Sequence, residues 1–481
     1  MIAGHQPWPC YVVDADAWQS AAELCAAEQA TLLSVWGETG RAHMAVLHDG
    51  EPRIAVLSLE CADNCYPSVG RVHAPAIRLE RTMRDLFGLD PVGLPDTRPW
   101  LDHGRWADAA AAPYEFLPVE GESLHHIPVG PVHAGIIEPG HFRFTCDGET
   151  VVRLEERLGY VHKGIDALLR NAPISRALRI AGRASGDSTV AYACAFSRAV
   201  EAALGIDVPP RAITLRGVMA EMERIANHLG DFGAICNDAS FSIMLAHCGV
   251  LRERVLRCAA ACFGHRLMMD RIVPGGVAAN LDESGVGAVR AMVNEVRKRF
   301  EPLIELYDGT ASLQDRTVGT GILRPQLARR FGAGGHVGRA SGRDFDSRRT
   351  PGYPPYNTLQ FDVPVLTEGD VNARVWIRIR EIQQSLSLLD QLIAEIPEGP
   401  ICASLEDASP GPGEGMALVE AFRGDVMVWL RIDGGQIDRC HLRDASWFQW
   451  PLLEAVIEGN IVADFPLCNK SFNCSYSGHD L

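Results

Sequence analysis

The segment 189–204 constrains this chain most. Apolar residues recur there at Val190, Ala193, Cys194, Val200, Ala203 and Leu204, with only the small Ser197 interrupting the row. That three- and four-residue spacing places them on one face of an α-helix. Further helices are predicted at 210–229, 241–265, 285–306 and 371–395, the last stopped by Pro397, Glu398 and Gly399. Long helices with such faces bury them against one another, so the downstream part is read as a helix bundle. Upstream the pattern changes. Residues 46–57 read as two apolar strands around an Asp49-Gly50 turn, and 14–30 as a helix with Asp14 as N-cap. The fold class that follows is α+β, a small N-terminal α/β domain before a mainly helical domain.

Proline, tryptophan and aspartate replace helical periodicity over 97–129. The division drawn is 1–118 for the α/β domain, 119–129 for a linker and 130–481 for the helical domain, which opens with a β segment at 141–152 turning at Asp147-Gly148. A chain of 481 residues has room for two or three domains. Its formal charge of −16 argues against nucleic acid or an anionic membrane surface as partner. No uncharged apolar run approaches the roughly 18–20 residues that span a bilayer.

Fourteen cysteines are scattered through alanine-rich sequence without a secretory leader, and are read as reduced thiols. Cys61 with Cys65 and Cys258 with Cys262 lack a second pair at zinc or iron–sulfur spacing, so they are read as small buried side chains. Gly332, Gly334 and Gly338 do not make a dinucleotide loop, and no nucleotide is assigned to this chain.

A series of longer motifs says more. GPVHAGIIEPGHFRF begins at Gly130 and RLGYVHKGID at Arg157; RASGDS follows at Arg183, EMERIANHL at Glu221 and IVPGGV at Ile272. RASGRDFDSR begins at Arg339, YPPY at Tyr353 and EGDVNAR at Glu368, and SFNCSYSGHDL ends the sequence. In this order they resemble the large subunit of energy-converting [NiFe] hydrogenases and the D-type subunit of respiratory complex I. Upstream, LERTMRDLFG from Leu79 with Leu94-Pro95-Asp96 resembles the complex I C-type subunit, and C-type before D-type is the fused order of formate-hydrogenlyase-like large subunits.

The resemblance also locates an omission. Where hydrogenases carry four nickel-binding cysteines, this chain has Ser185, Ser188, Ser475 and Gly478, with Cys474 one residue out of register. Serine hydroxyls are hard and protonated at neutral pH and do not replace thiolates on a soft redox metal, so no metal is expected in this chain and hydrogenase activity is not expected.

The resemblance implies a subunit packed on a [4Fe-4S] small subunit of complex I B-type, with ferredoxin-like and membrane antiporter-like partners. It implies electron flow to a quinone-like acceptor coupled to proton movement, any NAD binding being a property of the complex. The expected place is peripheral, on the cytoplasmic face of a prokaryotic membrane. His162 and Asp166, four apart, are candidate proton carriers on one helical turn, with Asp187 beside the former metal pocket. His133, Ser185, Ser188 and Ser475 are candidate cavity residues, although Gly186 stands where the quinone-binding pattern has tyrosine. Glu221, Glu223, Arg224 and His228 form either a proton-conducting polar axis or a charge-neutral network that holds helices in register. A docking role without chemistry, and a hydrogenase with unusual ligands, are the alternatives.

Overall fold

The computed structural model describes every residue except 1, 3, 49–52, 105, 107–113, 134–136 and 405–410. The Asp49-Gly50 turn lies outside the described residues, but the strands it joins, Arg41–His48 and Ile54–Glu60, pair antiparallel as expected. They belong to a four-stranded sheet ordered Cys10–Val13, Ile54–Glu60, Arg41–His48, Ala30–Glu38. Helix Ala15–Ala26 starts at Asp14, whose carboxylate accepts the Ala17 amide at 2.9 Å, the N-cap read from the sequence. It covers one face of the sheet together with helix Ile77–Phe87 through Trp18, Leu79 and Met83.

The other face does not meet solvent. Leu33, Trp36, Leu47 and Val56 pack on Met416, Met427 and Trp429 of a second, five-stranded sheet. Its order is His5–Gln6, Gly413–Ala421, Gly424–Asp433, Gln436–Arg443, Ala172–Pro173. Polar contacts rivet the seam. His441 stacks on Trp36 with centroids 5.2 Å apart and bonds Ser34 at 2.9 Å, while Arg431 holds Glu38 at 2.5 Å. The three inner strands of the N-terminal sheet are therefore largely buried on both faces, while Tyr11 and Val12 of the edge strand stay exposed; truncating a fully buried tryptophan such as Trp36 costs about 3–5 kcal/mol.

Helix Thr189–Leu204 has the predicted bounds and lies on the five-stranded sheet. Its approach is close because the strand offers glycine: a Cβ at Gly415 would stand 1.9 Å from the Ala199 carbonyl. Behind it, helices Pro210–Asp238, Ser242–Phe263, Glu283–Asp308 and Val371–Ala394 form the expected bundle. The first runs past the predicted end at 229. Its glycines are packing positions rather than a stop, since a Cβ at Gly233 would lie 2.9 Å from that of Cys248 on the next helix.

Two local readings are corrected. Residues 119–129, read as a linker, include strand Leu124–Val129, which pairs with His141–Asp147. His162 and Asp166 do not share a helical turn, because Gly164 adopts φ +67° and the helix begins only at Ile165. Among the described residues no helix is long and apolar enough to cross a membrane.

Candidate functional site

The four positions singled out by their motifs converge. Ser185 precedes a short turn, Gly186–Ser188, that feeds helix Thr189–Leu204, and Ser475 caps the last helix, Tyr476–His479. Although 290 positions apart in sequence, their hydroxyl oxygens lie 2.8 Å from one another. The proton order follows from the partners. Asp187 can only accept, so Ser185 donates to it at 2.9 Å; Ser475 then donates to Ser185 and accepts the Gly478 amide at 2.9 Å. The chain of donors runs from the Gly478 amide through two hydroxyls to one carboxylate.

Arg423, which the sequence reading did not single out, closes that chain from the other side. Its guanidinium donates to both Asp187 oxygens, at 2.8 and 2.6 Å, and to Ser188 Oγ at 3.2 Å. Burial pushes the Asp187 carboxyl up, but the Arg423 charge and hydrogen bonds outweigh it and hold it at about 2. Bidentate geometry of this kind makes a strong pair. Gly478 has no room for a side chain: an added Cβ would meet the Asp444 carboxylate at 2.8 Å, and that carboxylate takes the Tyr192 hydroxyl at 2.8 Å.

Directly below, Glu223 accepts the amides of Val190 and Ala191 at 2.7 and 3.1 Å, at the first turn of helix Thr189–Leu204. Burial raises its carboxyl to about 8 despite those donors. Asn227 ties the two levels together, donating to the backbone carbonyls of Asp187 and Glu223.

From there a buried charged network extends through the bundle. Arg423 donates to the Asn473 carbonyl, and the Asn473 amide reaches Asp231 at 2.9 Å. Asp231 lies 3.4 Å from Arg378, whose guanidinium reaches His336 at 2.8 Å. The His336 ring meets His228 edge-on, and His228 bonds Glu381 at 2.7 Å. Arg339 then bridges Glu381 at 2.6 Å and Glu420 at 2.8 Å. Farther on, Glu221 accepts from Tyr356 and Ser385, each at 2.6 Å, and faces Arg348 at 3.2 Å and Arg224 at 3.4 Å. Burial pushes Glu381 up, yet Arg339 and His228 hold it well below the carboxylate range; Glu420 is raised to about 7, first by burial and then by Asp346.

The remaining candidates sit apart. Asp166 pairs with Arg439 at 3.2 Å on the five-stranded sheet. His162 Nδ1 lies 3.2 Å from the Asp480 carbonyl, and its neighbour Lys163 donates to the carbonyls of Arg183 and Ala184, steadying the turn before Ser185. His133 stands beside Phe142 and Tyr476, its Nε2 buried without a partner among the described residues, and burial lowers its pKa. Asp166, Asp187 and His133 therefore do not meet in one contact set. Sequence reasoning missed Arg423, Arg339, Glu381 and Asp231; only Asp231, three residues beyond His228 on the same helix, had a local signal.

Residues 239–410 match the profile of the respiratory-chain NADH dehydrogenase 49 kDa subunit. Over 438 residues the chain is 31% identical to formate hydrogenlyase subunit 5 of Escherichia coli, covering 86% of this chain and 77% of that protein. The D-type subunit of NADH-quinone oxidoreductase from Desulfotalea psychrophila is 31% identical over 339 residues, 70% of this chain and 91% of that one. A chain in the structure of the membrane-bound sulfane sulfur reductase, an archaeal respiratory membrane complex, superposes with a TM-score of 0.71 at 26% identity, covering 76% of this chain and all of that one. This chain belongs to the family of energy-converting hydrogenase large subunits and complex I C/D-type subunits. Its relatives are subunits of multi-subunit respiratory membrane complexes.

Proposed function

We propose that this chain is the large subunit of a membrane-associated energy-converting oxidoreductase complex that works without a nickel-iron centre. The observation that carries the reading is the closed set from the Gly478 amide through Ser475 and Ser185 to Asp187 and Arg423. A nickel-iron group needs soft thiolates, and these four positions supply three hydroxyls and no fourth side chain. The hydroxyls are already committed to protein partners, and a guanidinium stands beside them as resident cation. The residues do not fit the metal group.

In this reading a small [4Fe-4S] partner sits over the serine turn and delivers electrons there. The half-exposed Asp187 carboxylate and exposed Arg183 and Gly186 are the surface such a partner covers. A quinone-class acceptor takes two electrons in succession from the partner's cluster and two protons, one passed on by Glu223 and one from solvent, giving the quinol. His133, whose Nε2 has no partner among the described residues, is the group offered to its head, and Glu223, held near neutral titration, is the proton reservoir. Charge change at Glu223 then biases the buried network that leads through His228 and Glu381 to Glu221, toward antiporter-like membrane subunits.

A docking role without chemistry is favoured by one observation, the complete internal satisfaction of Ser185, Ser475 and Asp187. Quinone-dependent electron flow in the intact complex separates the two. Flow that drops at least tenfold in Glu223→Gln, with iron content unchanged, supports coupling; a complex with iron and no flow in its native form supports docking.

A further inference from the structure

Far from the serine site, three side chains of metal-ligand type meet where the amino-terminal segment crosses the seam between the two large sheets. His5 lies on strand His5–Gln6, which runs parallel to Gly413–Ala421 with His5 opposite Glu414. Cys10 opens strand Cys10–Val13 of the other sheet. The ligand atoms of His5, Cys10 and Glu414 all lie within 4.8 Å of one another. Tetrahedral zinc bonds of about 2.0–2.3 Å put donors roughly 3.4–3.7 Å apart, so the set needs to close by at most about 1 Å.

The histidine is prepared for a ligand. Its Nδ1 lies 2.5 Å from the Trp8 carbonyl, which can only accept, so the proton sits on Nδ1 and the lone pair on Nε2. That Nε2 is buried without a partner among the described residues, on a side chain only 5% exposed. A ring N–H bound to a backbone carbonyl is the arrangement that orients metal-ligating histidines. An unpaired buried nitrogen is costly, and a metal ion would satisfy it.

Charge points the same way. Among the described residues Glu414 has one ion-pair partner, Arg431 at 3.5 Å, and that guanidinium is held more closely by Glu38 at 2.5 Å and Asp438 at 2.6 Å. A thiolate and a carboxylate together neutralise one divalent ion, and the mixed nitrogen, sulfur and oxygen set selects a borderline-soft metal over calcium or magnesium.

We propose that His5, Cys10 and Glu414 bind one divalent transition-metal ion of the zinc class, with water as fourth ligand. Binding forms the bond from Cys10 Sγ to the metal and releases the thiol proton to solvent, so affinity weakens as pH falls. No redox change is involved. The bound ion staples two short strands, one from each sheet, and so fixes the amino-terminal segment across the seam.

Cobalt(II) titrated into the purified full-length chain after chelator treatment tests this. One equivalent is expected, with a thiolate-to-cobalt charge-transfer absorption and the visible bands of a four-coordinate ion. Cys10→Ser should remove the charge-transfer absorption and weaken binding by more than about 100-fold, since loss of even an outer partner costs about 10–100-fold. Glu414→Gln, at a partly exposed position, should keep the absorption and weaken binding at least tenfold; it carries the test if the buried Cys10→Ser change does not fold. No cobalt binding by the native chain, or an absorption and affinity unchanged in these variants, overturns the proposal.

Discussion

Replacing Glu223 with glutamine isolates one buried titration. Its carboxyl stands at about 8 in the folded chain against a reference of 4.5, with burial the main cause. Between those two values the folded chain holds a proton that the unfolded chain has lost, so this group makes stability fall as pH rises from about 4.5 to 8. A difference of about 3.5 units, each worth about 1.4 kcal/mol, gives roughly 3–5 kcal/mol lost by pH 9 relative to a group that cannot ionise. Glutamine keeps one oxygen for the Val190 and Ala191 amides and cannot ionise. The variant should therefore match the native chain below about pH 4.5, gain on it progressively as pH rises toward 8, and keep a constant margin above that, read as thermal midpoints across pH. Infrared difference spectra should show one protonated carboxyl disappearing near pH 8 in the native chain and absent from Glu223→Gln. A native carboxyl that ionises below pH 6, or parallel pH curves for the two proteins, would refute the reasoning.

Arg339→Met leaves Glu381 and Glu420 without their shared cation, and loss of one partner from a buried pair costs about 3–5 kcal/mol. The loss should be largest at alkaline pH, where both carboxylates are charged, and shrink toward pH 5; thermal denaturation across that range checks it. Gly478→Ala drives a methyl against the Asp444 carboxylate and should lower stability by about 1–3 kcal/mol, measured by urea denaturation. Ser185→Ala removes a donor from Asp187 while Arg423 remains, so a loss of only about 1 kcal/mol is expected in the same assay.

Features with local causes were legible in the sequence. The periodicity of 189–204 gave the helix to the residue, and Asp14 caps as read. Ser185 and Ser475 were found only because each lies in a recognisable motif; nothing local joins residues 290 positions apart. Arg423 and Glu381 carried no such flag, and Arg339 opens a recognised motif without any sign of its partners, because each pair is brought together by tertiary packing alone. The pairing of His162 with Asp166 failed for a local reason, the left-handed Gly164 between them. Strand alternation revealed the N-terminal sheet but not what covers its second face, since Trp36 meets Trp429 from the far end of the chain. The His5, Cys10 and Glu414 set was invisible for the same reason.

The central claim is that this family member works without a nickel-iron centre. Elemental analysis of the complex purified intact from membranes, with a dihydrogen-uptake assay on the same sample, tests it most directly. The account predicts iron from the partner subunit, no nickel above background and no dihydrogen turnover. One nickel per chain with turnover would contradict it and mean that groups other than Ser185, Ser188, Ser475 and Gly478 ligate the metal.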